Sequence, residues 1–391
     1  LHERYVVEVV EGLGLCPFAR KSREQGRVHR PVFRSPPDPG RAAQTVAELV
    51  AEHPATEIVL LTFVVDAHHP WRNAPDFEAF TKAVRETYQA LVDNVPDSTY
   101  RAQAFFRLAD IYFEENQLDQ ALFHYEKILG EFQARRERES EDKWPDSDQR
   151  LFELALYKVA WAYYKIDDLD TAVSRFTDLI EWAEKREART GREADLKPEA
   201  VRYLAISLAD LSQEQGGFAL FEEVEQTPME YSMARLDSLG EERRWTFEVL
   251  KEVSSVLVDQ ARFEDAIDAY ERLQARYPLA AEGPEFQNTV IVLYQNLPIP
   301  DPDGAAEGRI ALTNRYGLDG QWYEANKNNK DAIASATQYI LQSLQWVAYS
   351  YHDKANTTGD PADYLAAAQK YEEYLERYPF AGNAYELNFY L

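Results

Sequence analysis

The stretch FFRLADIYFEENQLDQALFHYEKIL, residues 105–129, decides the fold. Leu108, Ala109 and Tyr112 fall on one helical face; after the polar turn ENQLD, Ala121, Tyr125 and Ile128 fall on another. The spacing predicts two helices joined by a short turn, which pack antiparallel. Such a pair crosses closely only where a small side chain sits at the contact, and Ala109 and Ala121 supply it. A single hairpin of this kind leaves its apolar face uncovered, so the pattern should recur. It does so in LYKVAWAYYKIDDLDTAVSRFTDLI, where Val159, Ala160, Tyr163, Ala172, Phe176 and Leu179 each stand 51 positions after their counterparts.

The pattern continues along the chain. VLVDQARFEDAIDAYERLQARYP carries Leu257, Ala266, Tyr270, Leu273 and Pro278 at the same places. A later copy, with Val347, Ala348, Tyr351, Ala367, Tyr371, Tyr374 and Pro379, is interrupted by NTTGDPAD. A degenerate copy holds Leu204, Ala205 and Leu208, and the closing NAYELNFYL reads as the first helix of one more. Charged or polar insertions are expected at 133–150, 183–198 and 297–330.

These positions and residue types resemble the tetratricopeptide repeat, a helical hairpin of about 34 residues. Within that family, RYGLDGQWYEAN and the closing YEEYLERYPFAGNAYELNFYL resemble the repeat proteins of gliding and predatory bacteria. The resemblance implies a mainly α protein, a superhelical α-α solenoid over residues 91–391. It also implies a place in the periplasm or cell envelope, with the cytoplasm as the alternative.

Residues 1–90 read differently, as a small α/β segment that is a partial domain or a cap. ERYVVEVVEGLG is expected to be a helix, VHRPVFR an edge strand, RAAQTVAELVAEH a helix and EIVLLTFVVD a buried strand. DFEAFTKAVRETYQALVDN is expected to be helical, with Val84, Tyr88, Leu91 and Pro96 in second-helix positions of the repeat pattern. GLGLCPFAR resembles the G-L-x-L-C-P-F-A signature of an uncharacterised bacterial family, which implies no settled activity. The chain begins on Leu1 and stops in mid-pattern at Leu391, so it is expected to be a piece of a longer protein, truncated at the carboxyl end.

Composition narrows the function. Residues 1–95 carry 11 basic and 13 acidic side chains, and residues 96–391 carry 31 and 55, so almost all of the net charge of −26 lies on the repeat region. Such a surface repels phosphate backbones and anionic lipid, which argues against nucleic-acid or membrane partners. No apolar run approaches the roughly 20 residues of a membrane-spanning helix.

Cys16, the one cysteine, is the candidate nucleophile, with His29, His68 and His69 as candidate bases. The preferred reading is a buried structural residue, because free cysteine commonly behaves as a small hydrophobe. DAHHPW lacks the paired spacing of a zinc site, and PDPDG lacks the bidentate glutamate of a calcium loop. No cofactor is expected.

Under the repeat resemblance, the first helix of each pair lines a concave groove. Tyr157, Lys158, Trp161, Tyr164 and Lys165 are the groove residues of one copy, and Trp346, Tyr349 and His352 those of a later one. Rings with basic neighbours suit an extended peptide, so the expected function is a non-enzymatic scaffold for a protein or peptide partner. The alternatives are a Cys/His enzyme segment with the repeats as its targeting arm, and self-association through terminal repeats.

Overall fold

Three turns share one backbone device. In the computed structural model, Asn116, Asp167 and Ala261 each adopt a left-handed conformation, with φ of 57°, 66° and 57°. The residue after each donates its N–H back across the turn, Gln117 to the Tyr112 carbonyl, Asp168 to Tyr163 and Arg262 to Leu257, at 2.8, 3.1 and 2.9 Å. This closure satisfies helix-end carbonyls and reverses the chain within a few residues. It joins α2 (Arg101–Glu114) to α3 (Leu118–Arg136), α4 (Asp146–Lys165) to α5 (Leu169–Thr190), and α8 (Thr246–Asp259) to α9 (Phe263–Arg276).

The structure describes residues 5–8, 58–61, 77–96, 98, 100–218, 227–239 and 243–391. Two compact units divide the chain at Ala200/Val201, inside α6 (Lys197–Phe218). The expected boundary at residue 90 runs through α1 (Phe77–Asn94). Val84, Tyr88 and Val92 of that helix are buried, and Arg85 pairs at 2.8 Å with Glu115, the residue that follows α2.

In the first unit, the hairpins α2/α3 and α4/α5 bury five of the six residues that define the pattern in each, and Tyr112 and Tyr163 are half-buried. Leu108, Ala109, Ala121, Tyr125 and Ile128 are fully buried, as are Val159, Ala160, Ala172, Phe176 and Leu179. Each large member contributes about 1.5–3 kcal/mol, while the alanines admit the close approach. The segments expected as insertions are structural instead. Helix α3 runs to Arg136 and α5 to Thr190, and Trp144 is buried between Phe132 and Phe152, with ring centroids 5.0 and 5.9 Å away.

The second unit repeats the scheme with α8/α9, α10 (Gly283–Asn296) with α11 (Pro302–Tyr316), and α13 (Lys330–Thr358) with α14 (Pro361–Arg377). Before them stands α7 (Pro228–Asp237), opened by a capping box between Thr227 and Glu230. A short helix, α12 (Gln321–Asn326), and α15 (Ala384–Tyr390) complete the unit. The expected insertion at 297–330 is thus a correction, because it holds α11 and α12. Leu312, Tyr316 and Trp322 from it lie in the same core as Ile340, Leu344 and Tyr374. Its crossing with α10 is made by Gly308, where a Cβ would stand 2.9 Å from Ile291 Cγ1. NTTGDPAD, expected as an interruption, is the end of α13, a left-handed Gly359 and an Asp360 cap on α14. Tyr351, expected in the packed set, is exposed.

At the amino terminus, β1 (Tyr5–Glu8) pairs in parallel with β2 (Ile58–Leu61), Tyr5 opposite Ile58 and Glu8 opposite Leu61. A helix was expected over Tyr5–Leu13, and the strand at Tyr5–Glu8 corrects it. Adjacent β-branched Val6 and Val7 favour extended backbone, and pairing with a partner strand outweighs helical periodicity. The expected elements at VHRPVFR and RAAQTVAELVAEH lie outside the described residues, as do Cys16, His29, His68 and His69.

Candidate functional site

The spacing of Tyr157, Lys158, Trp161, Tyr164 and Lys165 along α4 makes them neighbours one turn apart. Their rings form an edge-to-face ladder: Tyr157 and Trp161 are 6.5 Å apart at 69°, and Trp161 and Tyr164 are 5.7 Å apart at 85°. Such pairs are worth about 0.5–1.5 kcal/mol beyond the area they bury. The Tyr157 hydroxyl donates to Glu199 of α6 at 2.6 Å, which fixes that end of the ladder.

The preceding first helix, α2, contributes two residues that sequence reasoning missed. Phe113 lies under both lysines, with Lys158 Nζ 4.8 Å and Lys165 Nζ 4.5 Å from its centroid. Asp110 accepts a hydrogen bond from the Tyr125 hydroxyl at 2.6 Å and stands 3.6 Å from Lys158 Nζ. Burial first, and then that carboxylate, push the Tyr125 phenol far above its usual range, so it stays a donor. The two lysines therefore differ. Lys158 is half-buried and held by an acid, whereas Lys165 is exposed, also 5.8 Å from the Trp161 ring, and pairs with no carboxylate among the described residues. A cation held over two rings and still open to solvent can meet an incoming carboxylate, and the rings beside it offer area at low entropic cost.

The three residues expected in the later copy separate. Trp346 turns toward α11, where Arg309 stacks over its ring at 4.5 Å. Tyr349 and His352 turn toward α14 and α15. Tyr349 lies 6.0 Å from the Tyr390 ring and His352 5.7 Å, and His352 Nδ1 is hydrogen-bonded to the Tyr371 hydroxyl at 3.0 Å. Burial foremost pushes the Tyr371 phenol up to about 12. These two residues are therefore packed against a following helix, and Trp346 alone keeps the aromatic-plus-cation arrangement.

The second unit also carries a shallow apolar recess of about 370 Å³, lined by Phe247, Tyr277, Pro278, Leu279, Ala280 and Glu282. Among the described residues, no group of three or more His, Cys, Asp or Glu side chains could hold a metal ion. No helix among them is long and apolar enough to cross a membrane.

Paired helices with alanine crossings, joined by a common turn, recur in a known family. Residues 103–133 and 154–181 match the tetratricopeptide repeat. The first match covers most of α2/α3, and the second the latter part of α4 with the first part of α5, including the ring ladder. No curated protein matches the chain. Among solved structures, the C-terminal part of a TPR repeat-containing protein from Cytophaga hutchinsonii is 12% identical, with 81% of this chain and 98% of that one covered and a TM-score of 0.30. A tetratricopeptide repeat protein from Parabacteroides merdae is 11% identical over 90% of this chain and 99% of that one, with a TM-score of 0.28. The apo quorum sensor NprR from B. thuringiensis is 12% identical over 90% and 91%, also with a TM-score of 0.28. Scores this low add nothing to the repeat match.

Proposed function

We propose that the chain is a non-enzymatic protein-interaction scaffold, and that the α2–α4 face of its first unit takes an extended peptide. The repeat match supports a scaffold in general. One observation carries the particular face: Lys165 is held over Phe113 and Trp161 and has no acid among the described residues, in a chain with 68 acidic side chains. A partner segment with aromatic or aliphatic anchors and a carboxylate fits the ladder and the free ammonium together. An envelope or motility complex is the setting suggested by the bacterial repeat proteins that the sequence resembles.

The test is the double variant Trp161→Ala with Lys165→Ala, screened beside the wild type against a displayed library of random peptides. The expected result is a loss of tenfold or more in affinity for the selected peptides, with the unfolding midpoint changed by only a few degrees. Selected peptides that bind both proteins equally would place the binding surface elsewhere.

A further inference from the structure

Many guanidinium groups among the described residues face a carboxylate. Arg101, Arg175, Arg272 and Arg276 meet Glu131, Glu126, Glu230 and Asp237 at 2.8, 2.9, 2.7 and 2.8 Å. Arg309 of α11 does not, and among the described residues it is the arginine with a buried nitrogen left without a partner. Its Cζ lies 4.5 Å from the centroid of Trp346 on α13, and among the described residues neither a carboxylate nor any other acceptor pairs with it. Nε is buried with no partner, and the residue as a whole is half-buried. Burial lowers its pKa.

An uncompensated, partly desolvated cation is costly, and a chain this rich in acids had many ways to neutralise it. Stacking on the indole face recovers part of that cost. A guanidinium held over a ring by its π-face keeps its N–H donors for other partners, in the fork geometry that matches a carboxylate. We propose that Arg309 and Trp346 form a carboxylate-binding site in the second unit, one that takes the terminal or side-chain carboxylate of a peptide. A single guanidinium matches a monoanion. A phosphate dianion would remain half-neutralised by one guanidinium. The site belongs to the second unit and stands or falls independently of the α2–α4 face.

The experiment follows the arginine side-chain Nε–Hε resonances of the whole chain, ¹⁵N-labelled at arginine. Arg309→Lys, which keeps the charge and most of the stem, identifies the Arg309 signal by its disappearance. Sodium acetate, sodium chloride at matched ionic strength and inorganic phosphate are titrated in parallel. Acetate is expected to shift the Arg309 signal saturably, at concentrations at least tenfold below any effect of chloride. Coincident acetate and chloride curves would overturn the site, and phosphate binding tenfold more tightly than acetate would overturn its assignment to carboxylates. Two peptides then separate the sources: Ac-Ala-Tyr-Leu with a free terminal carboxylate, and Ac-Glu-Tyr-Leu-amide with only a side-chain carboxylate. A saturable shift from either supports the proposal and names the source. Acetate binding with no response to either peptide would refute a peptide ligand.

Discussion

The hairpins α2/α3 and α4/α5 and the hairpin α10/α11 solve one packing problem in two ways. In the first pair, alanines stand at each crossing and a left-handed residue closes the turn. In the other, Gly308 admits the Ile291 side chain, and the chain loops from Leu297 to Asp301 before Pro302 opens the next helix. The looser connection is braced from outside. The Trp322 indole donates to the Ala280 carbonyl at 2.6 Å and packs edge-on against Tyr316, with centroids 5.4 Å apart. A short turn fixes the crossing within the hairpin; a longer one transfers that constraint to a neighbouring buried ring.

That contrast is most severely tested at Trp322. Trp322→Ala should lower the free energy of opening α10–α12 by about 3–5 kcal/mol, because it removes a large buried side chain together with its hydrogen bond. Native-state hydrogen exchange should show the loss there and leave α2–α5 unchanged, as expected where elements contact only their neighbours. Equal loss in both regions would mean that the brace is not local. A smaller effect is expected from Gly308→Ala, a net loss of about 1–3 kcal/mol by crowding Ile291, despite alanine's better helix propensity. Chemical denaturation measures it, and a gain in stability would show that the crossing is not tight. The smallest effect concerns the shared turn. Asn116 and Asp167 are residue types that tolerate the left-handed region, but Ala261 is not, and it is exposed. Ala261→Asn should therefore raise stability by about 1 kcal/mol, read as a higher melting temperature. A lower melting temperature would show that the third turn differs from the other two.

The alanine hairpins were legible in the sequence because a small residue amid large ones at fixed offsets is a strong periodic signal. The α10/α11 hairpin was not, since glycine at a crossing looks like a breaker and Pro302 like a linker. Trp322 lies in a segment whose polar neighbours hid its burial. The same limit applies to the candidate sites. The five residues of α4 share a helix flank, and helical spacing reveals that. Phe113, Asp110 and Arg309 reach their partners from other helices, which spacing along one helix cannot show. Tyr5–Glu8 was misread because two valines fit helical periodicity and extended backbone alike, and only the partner strand decides between them.

The common turn has a further consequence, for the time course of folding. Each helix it joins meets its partner across only a few residues, so the loop to be closed is among the least costly available to a chain. Low contact order of this kind accompanies fast folding. Hairpins such as α2/α3 can therefore form while the rest of the polypeptide is still leaving the ribosome, each offering a surface to the next.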